Sequence, residues 1–151
     1  MDIHRNNQDA LPDFARLNLD WIKDLHVVEP SDQAMADNPQ AYVEGENSVF
    51  SIHIEGKVAG VCALKKDHND EFELTKMAVD PAFQGRGLGE ILMETVETYA
   101  KTELGLARIY LLSNTKNAAA IRLYKRCGWT VTHQGPHPQY ARCNIGMEKI
   151  F

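Results

Sequence analysis

The sequence predicts an α/β chain built on a mixed, mostly antiparallel sheet of six or seven strands with about four helices. Three observations carry this. Two β-rich segments, 48–54 and 57–64, flank the two-residue polar link Glu55-Gly56, which is hairpin spacing. A strand, a long amphipathic helix and a second apolar strand then follow within residues 71–113, an order that implies a parallel crossover. A last pair of β-rich segments, 129–133 and 143–149, is separated by a Gly-Pro-His-Pro turn.

Taken in order, residues 9–26 place Leu11, Phe14, Leu17, Trp21, Ile22 and Leu25 at helical spacing, with Pro12 tolerable in the first turn. A shorter helix is expected after Ser31, which would cap it, with Pro39 as its stop. The strand 71–79 ends at Asp80-Pro81, because proline cannot donate to a ladder and biases its predecessor toward extended geometry. From Leu88 onward Ile91, Leu92, Val96, Tyr99, Ala100 and Leu104 step by three and four, and Gly105 stands where a left-handed cap belongs. Residues 107–113 read as a largely buried strand, and 117–127 as a helix closed by Gly128.

At 151 residues with 44% hydrophobic content, and with no repeat, low-complexity tract or linker, the chain is expected to form one domain over 1–151. A net charge of −5 with no basic cluster argues against a nucleic-acid partner. The three cysteines, Cys62, Cys127 and Cys143, are odd in number and never spaced as C-x-x-C, so a reducing cytoplasm is the expected setting. No apolar run reaches membrane-spanning length and the first residues hold no apolar leader, so neither export nor a membrane partner is expected.

The chemistry concentrates in residues 84–89, Gln-Gly-Arg-Gly-Leu-Gly, between a strand and a helix start. Glycines let backbone N–H groups approach a ligand, and a helix N-terminus presents unpaired donors with a partial positive charge. Pyrophosphate is the natural guest, although glycines in isolation equally serve a tight turn. A Rossmann motif wants an N-terminal strand and an acidic residue about 20 positions later, and a P-loop wants Gly-Lys-Ser/Thr; neither is met.

The run at 77–89, Met-Ala-Val-Asp-Pro-Ala-Phe-Gln-Gly-Arg-Gly-Leu-Gly, resembles the acetyl-CoA motif of the GNAT superfamily of N-acetyltransferases, whose core is Q/R-x-x-G-x-G/A. Residues 117–129, Asn-Ala-Ala-Ala-Ile-Arg-Leu-Tyr-Lys-Arg-Cys-Gly-Trp, are similar to the family's N-x-x-A-x-x-L-Y-x-x-x-G-F/W segment. The first fifty residues share with the family only two helices ahead of the sheet. The resemblance implies a GNAT fold with a central pair of splayed parallel strands ending near Val79 and Ser113. It implies that Met77, Ala78 and Val79 pair with the pantetheine arm of acetyl-CoA, and that Gln84, Gly85, Arg86, Gly87, Leu88 and Gly89 take the pyrophosphate. Asn114, Asn117, Ala119 and Tyr124 would complete the cofactor site.

Aminolysis of a thioester needs a neutral amine, a stabilised oxyanion and a proton for the departing thiolate. The resemblance makes Tyr124 the general acid, though a tyrosine on an amphipathic helix also suits a core. Asn117 doubles as a favoured N-cap residue. Strand alternation puts Glu73, Thr75 and Met77 on one face, which offers Glu73 as the base, with Glu71 as its rival. Arg142 and Asn144, with Cys143 between them, stand at the entry to the last strand, which borders the active site in that family. Cys143 is equally an ordinary buried thiol. No metal site is read: Gly135 and Pro136 between His133 and His137 forbid the helix that would align two ligands.

The expected function is direct transfer of an acetyl group from acetyl-CoA to a primary amine. No Cys-His arrangement supports a covalent route. The reading from another class is a non-catalytic acetyl-CoA-binding module that regulates a partner; Tyr124 and Glu73 together favour the enzyme. The acceptor is expected to be a small amine carrying a carboxylate, gripped bidentately by Arg142, unless Arg142 is simply solvated. This leaves room for a homodimer.

Overall fold

A computed structural model describes residues 1–138 and 140–151. Seven strands form one sheet in the order β1-β2-β3-β4-β5-β7-β6, with β4 and β5 parallel and every other pair antiparallel. They are β1 (Asp2–Arg5), β2 (Ser48–Ile54), β3 (Lys57–Lys66), β4 (Phe72–Val79), β5 (Arg108–Ser113), β6 (Thr130–Gln134) and β7 (Ile145–Ile150). The helices are α1 (Leu11–Leu25), α2 (Pro30–Asp37), α3 (Leu88–Thr102) and α4 (Ala118–Arg126).

The β2–β3 hairpin closes at Glu55 and Gly56, both with positive φ, as a two-residue turn matched to the twist of its strands requires. The two faces of the sheet bury separate clusters. Phe50, Leu74, Leu92, Val96, Leu111 and Met147 pack with α3 and α4 on one side, and Phe14, Leu17, Met35, Val49, Val61 and Ala78 pack with α1 and α2 on the other.

Two sequence expectations are corrected here. A strand, β1, precedes the helices; all four of its residues are exposed, so no alternation betrays it, and it exists by pairing to β2. Ser31 does not cap α2: the helix starts one residue earlier at Pro30, and the Glu29 N–H donates to the Asp32 carboxylate at 2.8 Å.

The middle strand carries the decisive irregularity. Val61 pairs with Ala78 and Ala63 with Thr75, so Lys76 and Met77 of β4 stand opposite Cys62 alone. This is a bulge, and Lys76 takes φ +56, a left-handed conformation that costs an L-residue roughly 1 kcal/mol. Two fully buried polar side chains hold it. Asn18 of α1 donates to the Lys76 carbonyl at 3.0 Å and to Phe14 O at 2.9 Å, and accepts from Trp21 Nε1 at 3.2 Å. Asp32 of α2 takes the Lys76 ammonium at 3.2 Å and both arms of the Arg142 guanidinium, at 2.7 and 2.8 Å.

Burial alone would push the Asp32 carboxyl up. The hydrogen bonds from Arg142 and the Glu29 N–H, with the charge of Lys76, outweigh that and hold it down to about 2. A folded-state value below the unfolded one stabilises the protein above pH 4, and the contribution disappears as pH falls from 4 toward 2. Asp32→Asn is expected to cost about 3 kcal/mol at pH 7 by urea unfolding, because it strands two partly buried cations. The gap between parent and variant should shrink by roughly 2 kcal/mol between pH 4 and pH 2.

Candidate active site

Below the bulge β4 and β5 share one parallel pairing, Glu73 with Tyr110. Past it the strands diverge, and β5 keeps β7 as its partner along its whole length. A sheet that splits lets a cavity pass between its faces. The cavity here measures about 430 Å³. Trp21 and Leu25 of α1 and Tyr42 bound it on one side, Ala118, Ala119 and Tyr124 of α4 on the other, and residues 73–77 of β4 run between.

Glu73 enters this space as a desolvated acid. Burial pushes its carboxyl up to about 7, helped by Asp67 and opposed by the charges of Lys65 and Lys76. A carboxyl that titrates near neutrality is suited to taking and releasing a proton. Its rival Glu71 is occupied by the Arg108 guanidinium, which also holds Glu148. The expectation that Glu73, Thr75 and Met77 share a face fails at the bulge. The extra residue reverses the alternation, so Met77 and Val79 pack with the α3 side and Ala78 with the α1 side.

Tyr124 approaches from the opposite face of the sheet. Its ring is buried beside Trp129, and burial, with a smaller effect of Cys62, pushes its phenol well up, so the hydroxyl keeps its proton. Among the described residues that hydroxyl makes no hydrogen bond, while the residue lines the cavity. Asn117 precedes α4 at its N-cap position, but its side chain caps nothing; it meets His26 at 3.3 Å and Ser113 at 3.4 Å.

The glycine loop lies at the far end of β4. Asp80 caps a short turn by accepting the Ala82 N–H, after which Gly85 and Gly87 adopt φ +80 and +75 with nothing within 4 Å of the Cβ each lacks. Gly87 is the N-cap of α3 and is exposed, so the helix end with its unpaired N–H groups starts at the surface. Gln84 and Arg86 are exposed, Arg86 lying 5.2 Å from the Phe83 ring. The last two residues of the motif are placed differently. Leu88 points into the core, and a Cβ on Gly89 would meet Leu123 at 2.9 Å, so Gly89 serves the approach of α3 to α4.

Of the residues expected to grip the acceptor, neither is free to do so. Arg142 borders the cavity, yet Asp32 takes both arms of its fork. Asn144 lies off the cavity, its amide spent on the backbone and hydroxyl of Thr115. Asn114 does border it, and holds the Arg142 carbonyl and the Lys116 N–H. Cys143 also borders it, but donates to the Ile145 carbonyl with its thiol pushed up by burial. Trp21, Leu25, Tyr42, Lys65 and Tyr140 also line the cavity, and none of them was expected as a site residue.

The model of the acetyltransferase (GNAT) family matches residues 14–129. The chain belongs to this family. An N-alpha-acetyltransferase of Mycobacterium tuberculosis is 35% identical over 71 residues, which are 47% of this chain and 42% of that protein. The ribosomal protein bS18-alanine N-acetyltransferase of Escherichia coli is 33% identical over 105 residues, 69% of this chain and 66% of that protein. The chain thus spans less than half the length of the first of these relatives. A GNAT-family acetyltransferase from Staphylococcus aureus superposes with a TM-score of 0.84 at 21% identity, covering 99% of this chain and 98% of the other. Seven strands with one parallel pair and four helices are therefore the family's fold.

The raised value of Glu73 has a stability consequence of opposite sign to that of Asp32. The folded state holds this proton more tightly, so stability falls as pH rises from the ordinary glutamate range to about 7. Glu73→Gln removes the buried charge and is expected to stabilise the protein at pH 8 by roughly 2 kcal/mol, with no difference at pH 4. Urea unfolding at the two pH values measures this.

Proposed function

We propose that this GNAT chain transfers the acetyl group of acetyl-CoA directly to the primary amine of a small molecule. The observation that carries the reading is that Glu73 and Tyr124 enter one cavity from opposite faces of the sheet, through the gap between β4 and β5. Beyond the bulge β4 has no strand partner toward β5, so its backbone groups from Met77 to Val79 are available to the amides of a pantetheine arm. The open first turn of α3 at Gly87 suits the pyrophosphate.

In this mechanism Glu73 receives the proton of the acceptor ammonium, and the freed amine forms its N–C bond to the acetyl carbon as the C–S bond breaks. Tyr124 then supplies the proton that the leaving sulfur takes up, and regains one from the acylated nitrogen, which loses its surplus proton to become the amide. Direct transfer is supported by the state of the thiols: Cys62 and Cys143 are buried, and burial pushes both up. The three unpaired cysteines are consistent with a reducing cytoplasm. A small acceptor is supported by Arg142, which reaches from the segment before β7 to Asp32 and, at 3.4 Å, to the Val27 carbonyl. It thereby ties together the two segments that wall the acceptor end.

Free-thiol release from acetyl-CoA against a panel of amines tests the activity, and no release with any member would overturn it. Tyr124→Phe is expected to lower kcat by about 10²-fold with acetyl-CoA affinity unchanged. Gly87→Val is expected to abolish the thermal shift that acetyl-CoA produces. Its added side chain enters open space, so the apo protein should lose only about 1 kcal/mol to the left-handed φ.

A further inference from the structure

We infer that the acceptor is an amino acid with an apolar or aromatic side chain, whose carboxylate is held by Lys65 beside Glu73. The inference rests on the acetyl-transfer reading above and deepens it. Lys65 of β3 pairs directly with Glu73 of β4 in the antiparallel ladder. Opposite residues in such a ladder share a face, with Cβ atoms about 5 Å apart. Both side chains border the cavity. Lys65 Nζ stands 5.3 Å from the Tyr42 ring centre, and among the described residues it has neither ion pair nor hydrogen bond. The cavity therefore presents a proton acceptor for an amine and, one strand away, an unpaired ammonium. An amine and a carboxylate on one carbon match that spacing.

The other cations do not compete for this role. Lys76 and Arg142 are both committed to Asp32, and Lys116 lies at the start of α4 on the other side of the gap. The charge balance also argues against a polyamine. Two carboxylates, Glu29 and Glu73, line the cavity against the four cations Lys65, Lys76, Lys116 and Arg142, and Asp32 behind them offsets one. A peptide N-terminus carries a neutral amide where an amino acid carries its carboxylate, and would leave Lys65 unpaired. The rest of the acceptor wall is apolar: Trp21, Leu25, Tyr42 and Tyr140. Leu25 and Tyr140 are 49% and 40% exposed, so their apolar surface is open to a ligand in the cavity. Carboxylate binding would also offset the Lys65 charge that pulls Glu73 down, and so raise the basicity of Glu73 as the substrate arrives.

The test is kcat/KM by thiol release, compared per unprotonated amine, for L-phenylalanine against 2-phenylethylamine and L-leucine against 3-methylbutylamine, with spermidine as a further acceptor. In the parent protein each amino acid should exceed its decarboxylated twin by about tenfold or more. K65M should close most of that gap through KM, and K65R should restore part of it. Equal kcat/KM within each pair, a gap that K65M leaves intact, or a preference for spermidine would each overturn the proposal. An acetyl-CoA thermal shift is run alongside. Shift and turnover without carboxylate preference reject the amino-acid acceptor alone, whereas the absence of both rejects the acetyl-transfer reading.

Discussion

The left-handed turn of the chain at Lys76 is the constraint on which the site depends. One extra residue in β4 exchanges which side chains face α1 and which face α3, and it ends the pairing of β4 with β5. Without it, β4 and β5 would continue their ladder and close the space that Glu73 and Tyr124 share. The conformation is unfavourable for lysine in itself, and it persists because Asn18 fixes the carbonyl of the residue and Asp32 its ammonium. The strain is thus located in the cleft and opposed by one buried polar side chain from each of two helices.

Asp32 carries more than the bulge. A buried carboxylate is tolerable only when its lone pairs are filled, and here one backbone N–H and two cations fill them. The same carboxylate joins α2, the centre of the sheet and the segment before β7. This arrangement explains why Arg142 cannot act as the sequence suggested. Its planar fork has found a carboxylate within the chain, and on the β3–β4 side of the cavity the uncommitted charge is that of Lys65, placed by register and not by any motif.

The parts of the structure that were legible in the sequence are those encoded locally. The helices α1 and α3 announced themselves by spacing, the hairpin by Glu55-Gly56, and the start of α3 by its glycines. Glu73 and Tyr124 were reached because a strand and a motif fixed their places. What was not legible depends on pairing across distance. Lysine is not a residue that signals positive φ, so the bulge was invisible, and with it the reversal at Met77. β1 has no pattern of its own. Lys65 becomes a neighbour of Glu73 only once the register of β3 with β4 is known. Asn117 shows the intermediate case, correct in position and different in what its side chain does.

The bond between Arg142 and Asp32 joins residues 110 positions apart. Chains leave the ribosome N-terminus first, so α1, α2 and β4 are all made before their bridge exists. The glycine loop and α4 lie within residues 72–126, whereas β5 pairs along its whole length with β7 and must wait for it. The cavity wall waits for Tyr140 and Arg142. During synthesis, then, Trp21, Leu25 and Tyr42 stand for a time without the residues that border the cavity opposite them, while Asn18 and Asp32 already hold Lys76. Apolar surface left open in this way is what a folding chain presents to chaperones and to wrong partners.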